Sequence, residues 1–321
     1  MPDMTNTILI TGSLAFDYLM TYPEAFAEHI IPEKLKTLSL TFDVTSLHKN
    51  FGGNAGNIAY TLALLKTKTE ILTSVGKEDF QNYNDHLAKY GIGTQYVKRI
   101  ASEHTASAFG ITDKNSAQLW AFYPGALKKN ILFSLEELSF GQDYSYLVIG
   151  PQVADSIGKL TEEAIMLHIP YLYTPGQEIT YLPSDQLKAG IRGADVVLVN
   201  DYELAMITKK TGWKRSDIVN QTKVFIVTLG SLGSEIETHD GVIKIGAVKP
   251  RALIDPTGAG DSYVAGFIAG FAQKQSLKQS GQMGALAATF TIEEQGTQSH
   301  TFSSDEFIKR YEATFSDTLT L

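Results

Sequence analysis

The chain predicts an α/β fold on a mostly parallel central sheet, with a second, smaller sheet beside it. Three observations carry this. Short, continuously apolar runs such as Val196–Val199 and Phe225–Val227 alternate with segments of helical spacing, the pattern of parallel strands covered on both faces. Two stretches, Leu14–Tyr22 with Ser39–Lys49 and Thr105–Tyr123, instead alternate like half-exposed strands. Two glycine-rich junctions, GGNAGN at 52–57 and DPTGAGD at 255–261, each stand directly before a helical run.

Taken in order, Ile8–Gly12 reads as a short buried strand. Asn57–Lys66 has helical spacing after a glycine turn, Glu70–Val75 is strand-like, and Glu78–Tyr90 is an amphipathic helix closed by Gly91. Strands follow at Tyr146–Ile149, Tyr171–Tyr173, Val196–Val199 and Phe225–Val227. The helices Ser262–Phe271, Ser276–Glu293 and Ser304–Tyr311 complete the C-terminal part. The half-exposed stretches form either edge strands of the main sheet or a separate lid. The lid reading makes one domain of residues 1–321 with insertions at about 14–50 and 105–124, whose closure would exclude water from a reacting group.

Composition narrows the function. The chain has 321 residues, 43% of them hydrophobic, enough for a substantial core. No apolar run reaches the ~18 residues of a membrane span, and the N-terminal MPDMTNTILITGS has no basic start and no long apolar block, unlike a signal peptide. There are no cysteines, which excludes disulfides, thiolate metal sites and cysteine nucleophiles and fits a cytoplasmic protein. A net charge of −8 argues against nucleic-acid binding and implies that a bound nucleotide brings Mg²⁺ with it. The histidines have no metal-ligand spacing, and neither a GxxxxGK[ST] loop nor a GxGxxG turn after the first strand is present.

The chemistry gathers at the junctions. At 255–261 two glycines and an alanine leave the first-turn amides of the following helix unshielded, and the helix dipole makes that end positive, so a phosphate-sized anion can sit there. Asp261 lies in the same turn, where its carboxylate could take a proton from an attacking hydroxyl. Gly258, Ala259, Gly260 and Asp261 together suggest phosphoryl transfer to an alcohol. In GGNAGN the glycines permit close backbone approach, and Asn54 and Asn57 offer donors and acceptors to a polyhydroxyl ligand. Asp17 could hold a vicinal diol with help from Ser13; a surface aspartate at a strand end would look the same. Asn200 and Glu203 follow a strand at the end where open α/β sheets bind ligands. Glu203 could hold Mg²⁺ through water, and the same pair also has the spacing of a capping box. Thr228, Gly230 and Gly233 form a strand-to-turn junction that could expose amides and a hydroxyl to a nucleotide phosphate. Phe109, Trp120, Phe122 and Tyr123 could present an aromatic face to a base or pack against their own core.

In this order the motifs resemble the ribokinase-like family of carbohydrate and nucleoside kinases, which carries a GGN-type motif early, an NxxE signature and a D-T-x-G-A-G-D motif late. Here these read GGNAGN, Asn200 with Glu203, and DPTGAGD with Pro256 where threonine is common. Nearly the whole chain looks like bacterial adenosine kinases, through TGSLAFDYLM, LSLTF, FYPGA, NDYE, KTGW, VTLG and EEQGTQ. The resemblance implies a three-layer sandwich with a central mostly parallel sheet and a small discontinuous lid. It implies a kinase using ATP and Mg²⁺ to phosphorylate the primary hydroxyl of a ribose-containing substrate, adenosine foremost, with a ribokinase- or fructokinase-type sugar kinase and a catalytically idle nucleoside binder as alternatives. By that likeness Ser13, Asp17, Gly53 and Asn57 hold the ribose. Thr41 and Phe122 come from the lid, Asp261 is the base, and Gly258, Ala259 and Gly260 form the anion hole. The family often uses a monovalent cation, K⁺, for which Asp255 is the candidate, and pairing of two copies through the lid is a further implication. Where those kinases carry a glutamine pair followed by arginine, this chain keeps only Gln177, with Glu178 and Tyr181 in the other places.

Overall fold

Alternate residues of each buried strand point to opposite faces, and this chain makes both faces apolar. In the computed structural model, which describes residues 7–30, 32–37, 39–140 and 143–321, Ile8 and Ile10 pack into one core while Leu9 packs into another. The readings that fall on residues 1–6 and on Leu38 of LSLTF lie outside the described residues.

Strands β1 (Ile8–Thr11), β4 (Thr69–Gly76), β5 (Val97–Ile100), β8 (Tyr146–Ile149), β9 (Tyr171–Tyr173), β10 (Val196–Asn200), β11 (Val224–Thr228), β12 (Ser234–Thr238) and β13 (Gly241–Ile245) form a nine-stranded sheet. Its order is β13-β12-β11-β10-β9-β8-β1-β4-β5. It is parallel from β11 to β5, and the hairpin β12–β13 adds an antiparallel edge. Strands β2 (Ala15–Thr21), β3 (Ser46–Gly52), β6 (Ala106–Thr112) and β7 (Gln118–Tyr123) make a separate four-stranded sheet in the order β3-β2-β6-β7, rather than edge strands of the first.

Helices α2 (Asn54–Leu64), α3 (Gln81–Lys89), α4 (Ala154–Met166), α5 (Ser184–Gly193), α6 (Asp201–Thr211), α7 (Arg215–Val219), α8 (Ala259–Ala272), α9 (Leu277–Ile292) and α10 (Ser304–Phe315) flank the large sheet, while the short α1 (Phe26–His29) packs beside the small one, its Phe26 amide donating to Asp113. One core takes Ile58, Phe267, Met283 and Phe307 from α2, α8, α9 and α10; the other takes Ile157, Leu187, Ile207 and Ile218 from α4, α5, α6 and α7. Among the described residues no helix is long and apolar enough to cross a membrane.

Among the boundaries that differ from the sequence expectation, three have a direct physical reason. Helix α2 starts at Asn54 because Gly53, at φ 85°, supplies the turn, so the motif's asparagine already belongs to the helix. Helix α3 starts only at Gln81, since Asp79 is committed to the backbone and hydroxyl of Thr105. The strand expected over Ser39–Lys49 runs from Ser46 to Gly52, set by its register with β2, and this leaves Thr41 exposed outside any strand.

Helix α8 is buried along Ser262–Gly270, so it is apolar all round, as a helix inside a core must be. It meets α9 at backbone distance: a Cβ added to Gly266 would stand 2.5 Å from the Met283 carbonyl oxygen. Beneath its first turn lies a buried polar knot. The Thr61 hydroxyl meets Ser262 Oγ at 3.1 Å and His300 Nε2 at 3.2 Å, and Thr291 Oγ1 donates to Ser262 Oγ at 2.6 Å. Burial pushes His300 down to about 4. The folded protein therefore binds its proton less readily than the unfolded chain does. Stability from this group is present above the unfolded value of about 6.5 and falls as pH drops toward 4. In urea titrations at pH 7.5 and pH 5 the His300→Gln midpoint should rise relative to that of the wild type on acidification, because only the wild type loses this contribution; a difference between the two proteins that is the same at both pH values would refute this.

Candidate active site

The site is assembled by the N-termini of α2 and α8. Gly258, at φ 80°, lets the DPTGAGD loop turn sharply into α8, and a side chain there would also meet Thr297 at 2.9 Å. This places Asp261 in the first turn of α8, opposite Asn57 in the first turns of α2. Asn57 Nδ2 donates to Asp261 Oδ2 at 2.7 Å. Burial pushes Asp261 up to about 7; the Asn57 hydrogen bond works against this, and the charges of Asp17 and Glu203 work with it.

The amide cradle is smaller than the sequence suggests. Among the described residues no group accepts from the amides of Gly258, Gly260 or Asp261, but that of Ala259 is drawn back to the Pro256 carbonyl at 3.3 Å. A tight turn that closes on itself uses one of its own donors.

On one side of Asp261 lies the small sheet. Asp17 is paired in register with Asn50 and Ala108, and Ala108 with Phe122, so these four side chains stand on one face. That face looks toward Asp261, whose ionisation Asp17 opposes. Asp17 folds over Gly52, where an added Cβ would be 2.0 Å from its Oδ2, and burial first and Asp255 second push it up to about 6. Phe122 is 56% exposed and Trp120, on the same face, 49%, so neither is consumed by packing. Phe109 and Tyr123 belong to the opposite face, where Phe109 stacks on Tyr18 at 4.9 Å. Of the four aromatics, two therefore face the site.

On the other side is a cavity of about 790 Å³. Asn200, Thr228, Gly230 and Gly233 line it, as do Pro256, Ala259 and Gly260 from the α8 junction. Its apolar wall comes from Val248, Leu253 and the α9 stripe Ala285, Ala288, Ile292. The sequence reading missed this wall; the i, i+3, i+7 spacing on α9 was the available signal.

Several residues have structural duties as well. The capping box is real: Asn200 Oδ1 accepts from the Glu203 amide at 2.8 Å, and Glu203 Oε2 from the Asn200 amide at 3.0 Å. Burial nonetheless pushes Glu203 up. Asp255 takes the amides of Thr257 at 2.9 Å and Gly296 at 3.0 Å, one per oxygen. Ser13 Oγ accepts from the Asn54 amide at 3.2 Å and from its Nδ2 at 3.0 Å, fixing the start of α2. Gln177 is exposed on the 3-10 turn after β9 and Thr41 on the loop before β3, and neither has a hydrogen bond to the other site residues. One His/carboxylate grouping escaped the sequence reading: Glu24, Glu28 and His29 lie together but are exposed, and Glu28 is paired with Lys114 at 2.6 Å.

Comparison with known proteins gives the family. Residues 11–303 match the family described as pfkB family carbohydrate kinases. A nucleoside kinase of Methanothermobacter thermautotrophicus is 30% identical over 318 residues, covering 95% of this chain and 96% of the relative. The nucleoside kinase of Burkholderia thailandensis in complex with inosine superposes with a TM-score of 0.89 at 30% identity, covering 97% of this chain and all of the other. The same kinase in complex with ADP-inosine gives 0.83 at 32%, covering 97% of each chain. With a profile matching nearly its full length and the fold of that group, the chain belongs to the pfkB family of carbohydrate kinases and is a phosphotransferase with an alcohol group as acceptor.

Proposed function

We propose that this enzyme transfers the γ-phosphoryl group of ATP to the 5′-hydroxyl of a ribonucleoside, adenosine and inosine being the acceptors to test first. One observation carries the reading: Asp261 stands between two spaces. Its turn lines the large cavity, while its carboxylate is held by Asn57 on the side of the Asp17 face. A base between a nucleotide cavity and a diol-binding carboxylate is what phosphoryl transfer to a sugar hydroxyl needs.

In this reading Asp17 accepts the ribose 2′- and 3′-hydroxyls, with Ser13, Gly53 and Asn57 around the sugar. Phe122 and Trp120 wall the base, and Thr41 and Gln177 close in from the rim. The exposed aromatic pair favours a nucleoside over a free sugar, and the inosine-bound relative supports it. The small sheet serves as a lid that keeps water from the transferred group. Asn200, Thr228, Gly230 and Gly233 hold ATP, as the relative with ADP-inosine supports.

The 5′-hydroxyl gives its proton to Asp261, its oxygen bonds to the γ-phosphorus, and the bond from phosphorus to the ADP oxygen breaks. The amides of Gly258, Gly260 and Asp261 hydrogen-bond to the charge that develops. Glu203 accepts only from Asn200 among the described residues and has lone pairs left, so it can hold Mg²⁺ through water. Mg²⁺ would offset phosphate charge in a site crowded with carboxylates. Asp255 has lone pairs left on both oxygens for K⁺. Strand β7, exposed at every residue on the edge of the small sheet, offers the edge through which two copies would pair.

Asp261→Asn should lower kcat by about 10²- to 10⁴-fold with ATP affinity nearly intact. Asp261 is pushed up to about 7 and must be ionised to accept a proton, so kcat/KM of the wild type should fall as pH drops through about 7. An Asp261→Asn enzyme with undiminished turnover in a coupled ADP assay refutes the assignment. Phe122→Ala should raise KM for adenosine and inosine at least tenfold more than KM for ribose or fructose; a uniform rise would favour a sugar acceptor. No acceptor-dependent ADP release with any candidate acceptor would point to the idle binder. Sedimentation equilibrium should find a dimer, and a monomer at micromolar concentration removes the lid-pairing reading.

A further inference from the structure

The side-chain nitrogen and oxygen of Asn57 are not interchangeable, and what sorts them lies outside the substrate site. Asn57 is 4% exposed, with Nδ2 on Asp261 and Oδ1 accepting from Gln298 Nε2 at 3.0 Å. The same Gln298 nitrogen donates to Tyr83 Oη at 2.6 Å, and Tyr83 donates to the Gly52 carbonyl at 2.7 Å. Gln298 Oε1 faces His86 Nε2 at 3.0 Å.

A backbone carbonyl can only accept. Tyr83 must therefore donate its one proton to Gly52, and it can only accept from Gln298. That forces the Gln298 NH₂ toward Tyr83 and Asn57 and its oxygen toward His86. Asn57 must then turn its oxygen to Gln298 and its NH₂ to Asp261. Each link has one allowed direction. Burial holds the Tyr83 hydroxyl protonated and disfavours charge on His86, and facing an amide oxygen selects the Nε2–H tautomer of the neutral His86 ring. The passage exists because residue 56 is glycine: a Cβ there would stand 2.0 Å from Tyr83 Oη and 2.9 Å from Gln298 Nε2.

We propose that Gln298 is a positioning residue for the transfer: through a one-way relay from the Gly52 carbonyl by way of Tyr83, it presents Asn57 to Asp261 as a donor only. A donor is worth more to a carboxylate than to a carboxylic acid, so the relay keeps the base ionised. It opposes the groups that push the other way, namely burial and the charges of Asp17 from β2 and Glu203 from α6, with Asp255 acting on Asp17 and Tyr83 the remaining titratable neighbour. Without the relay Asn57 can rotate its amide and offer its oxygen, which pairs with protonated Asp261 and stores the base in its inactive form. The inference rests on Asp261 being the base.

The variants are Gln298→Leu, Gln298→Glu and Tyr83→Phe, assayed with adenosine and ATP·Mg²⁺ from pH 5.5 to 9. Gln298→Glu keeps the shape and reverses the polarity. All three should move the acid limb of kcat/KM upward, by about one pH unit for Gln298→Leu and more for Gln298→Glu, the smallest shift belonging to Tyr83→Phe. The loss is then about tenfold at pH 6 and small at pH 9. In the free protein, carboxyl ¹³C NMR should find the Asp261 resonance, assigned by its absence in Asp261→Asn, titrating higher by the same amount. A loss of kcat equal at every pH, with the Asp261 titration unmoved, makes Gln298 merely structural and overturns the proposal. If the Gln298 variants do not fold, Tyr83→Phe decides, because it removes one oxygen and leaves the ring packing. A wild type inactive on every nucleoside and sugar would sink the kinase reading instead, while the NMR comparison would still report on the relay.

Discussion

The site depends on a 2.7 Å hydrogen bond from Asn57 to Asp261, which joins the first turns of two helices from distant parts of the chain. Both helix starts point positive ends at one place, and the residues there are mostly negative. Asp17, Asp255, Glu203 and Asp261 share this region, and among the described residues none of them is ion-paired with a lysine or arginine. Holding Asp261 ionised in such surroundings costs on the order of 4 kcal/mol relative to an exposed aspartate, the equivalent of a shift from 3.8 to about 7. The cost is absent at low pH and complete once pH exceeds about 7. A structural aspartate under that load would be replaced at little loss, whereas a general base gains from it, because its affinity for a proton is matched to neutral pH.

The load is carried by backbone that cannot easily relax. The Asp255 carboxylate ties the loop before α8 to Gly296, Thr297 Oγ1 donates to the Phe51 carbonyl at 3.0 Å, and Gln298 reaches Asn57. The turn over 295–300 therefore touches the α8 junction, the end of β3 and α2 at once. Below it, the knot of Thr61, Ser262, Thr291 and neutral His300 binds α2, α8 and α9 through hydroxyls instead of charges. Rigidity beneath Asp261 and exposure in front of it are separated by one helical turn.

Much of this was legible in the residues. The parallel sheet followed from the apolar strands, since Val196–Val199 and Phe225–Val227 can only be buried on both faces. The half-exposed stretches Leu14–Tyr22 and Thr105–Tyr123 could be read as strands, but their pattern left an edge of the main sheet and a separate sheet both open, and only the pairing settles it. Asp261 and the glycines before it were visible because a helix start leaves amides free. Other features needed three dimensions. The register that puts Phe122 beside Asp17 and turns Phe109 away depends on two strand pairings at once. The apolar wall of the cavity comes from α9 and from a segment without regular structure at Val248–Leu253, which no local pattern joins. The hydrogen bond from the Ala259 amide to the Pro256 carbonyl is a property of the turn, not of either residue type.

Gln298 marks the limit of motif reading most sharply. It lies in the shared stretch EEQGTQ, yet nothing in a glutamine after a threonine indicates chemistry. Its meaning comes from the neighbours it separates: a carbonyl that can only accept at one end and a carboxylate that must accept at the other. Between two acceptors, a chain of amides and one hydroxyl has a single consistent set of directions, provided every link is buried and no water can substitute. Tyr83 is fully buried, and Gln298 and Asn57 nearly so. Gly56 follows from the same constraint, since any side chain there would fill the channel the relay occupies. The glycines of GGNAGN thus have different causes. Gly53 is required by its φ angle, Gly52 by the aspartate that lies across it, and Gly56 by a hydrogen bond made elsewhere.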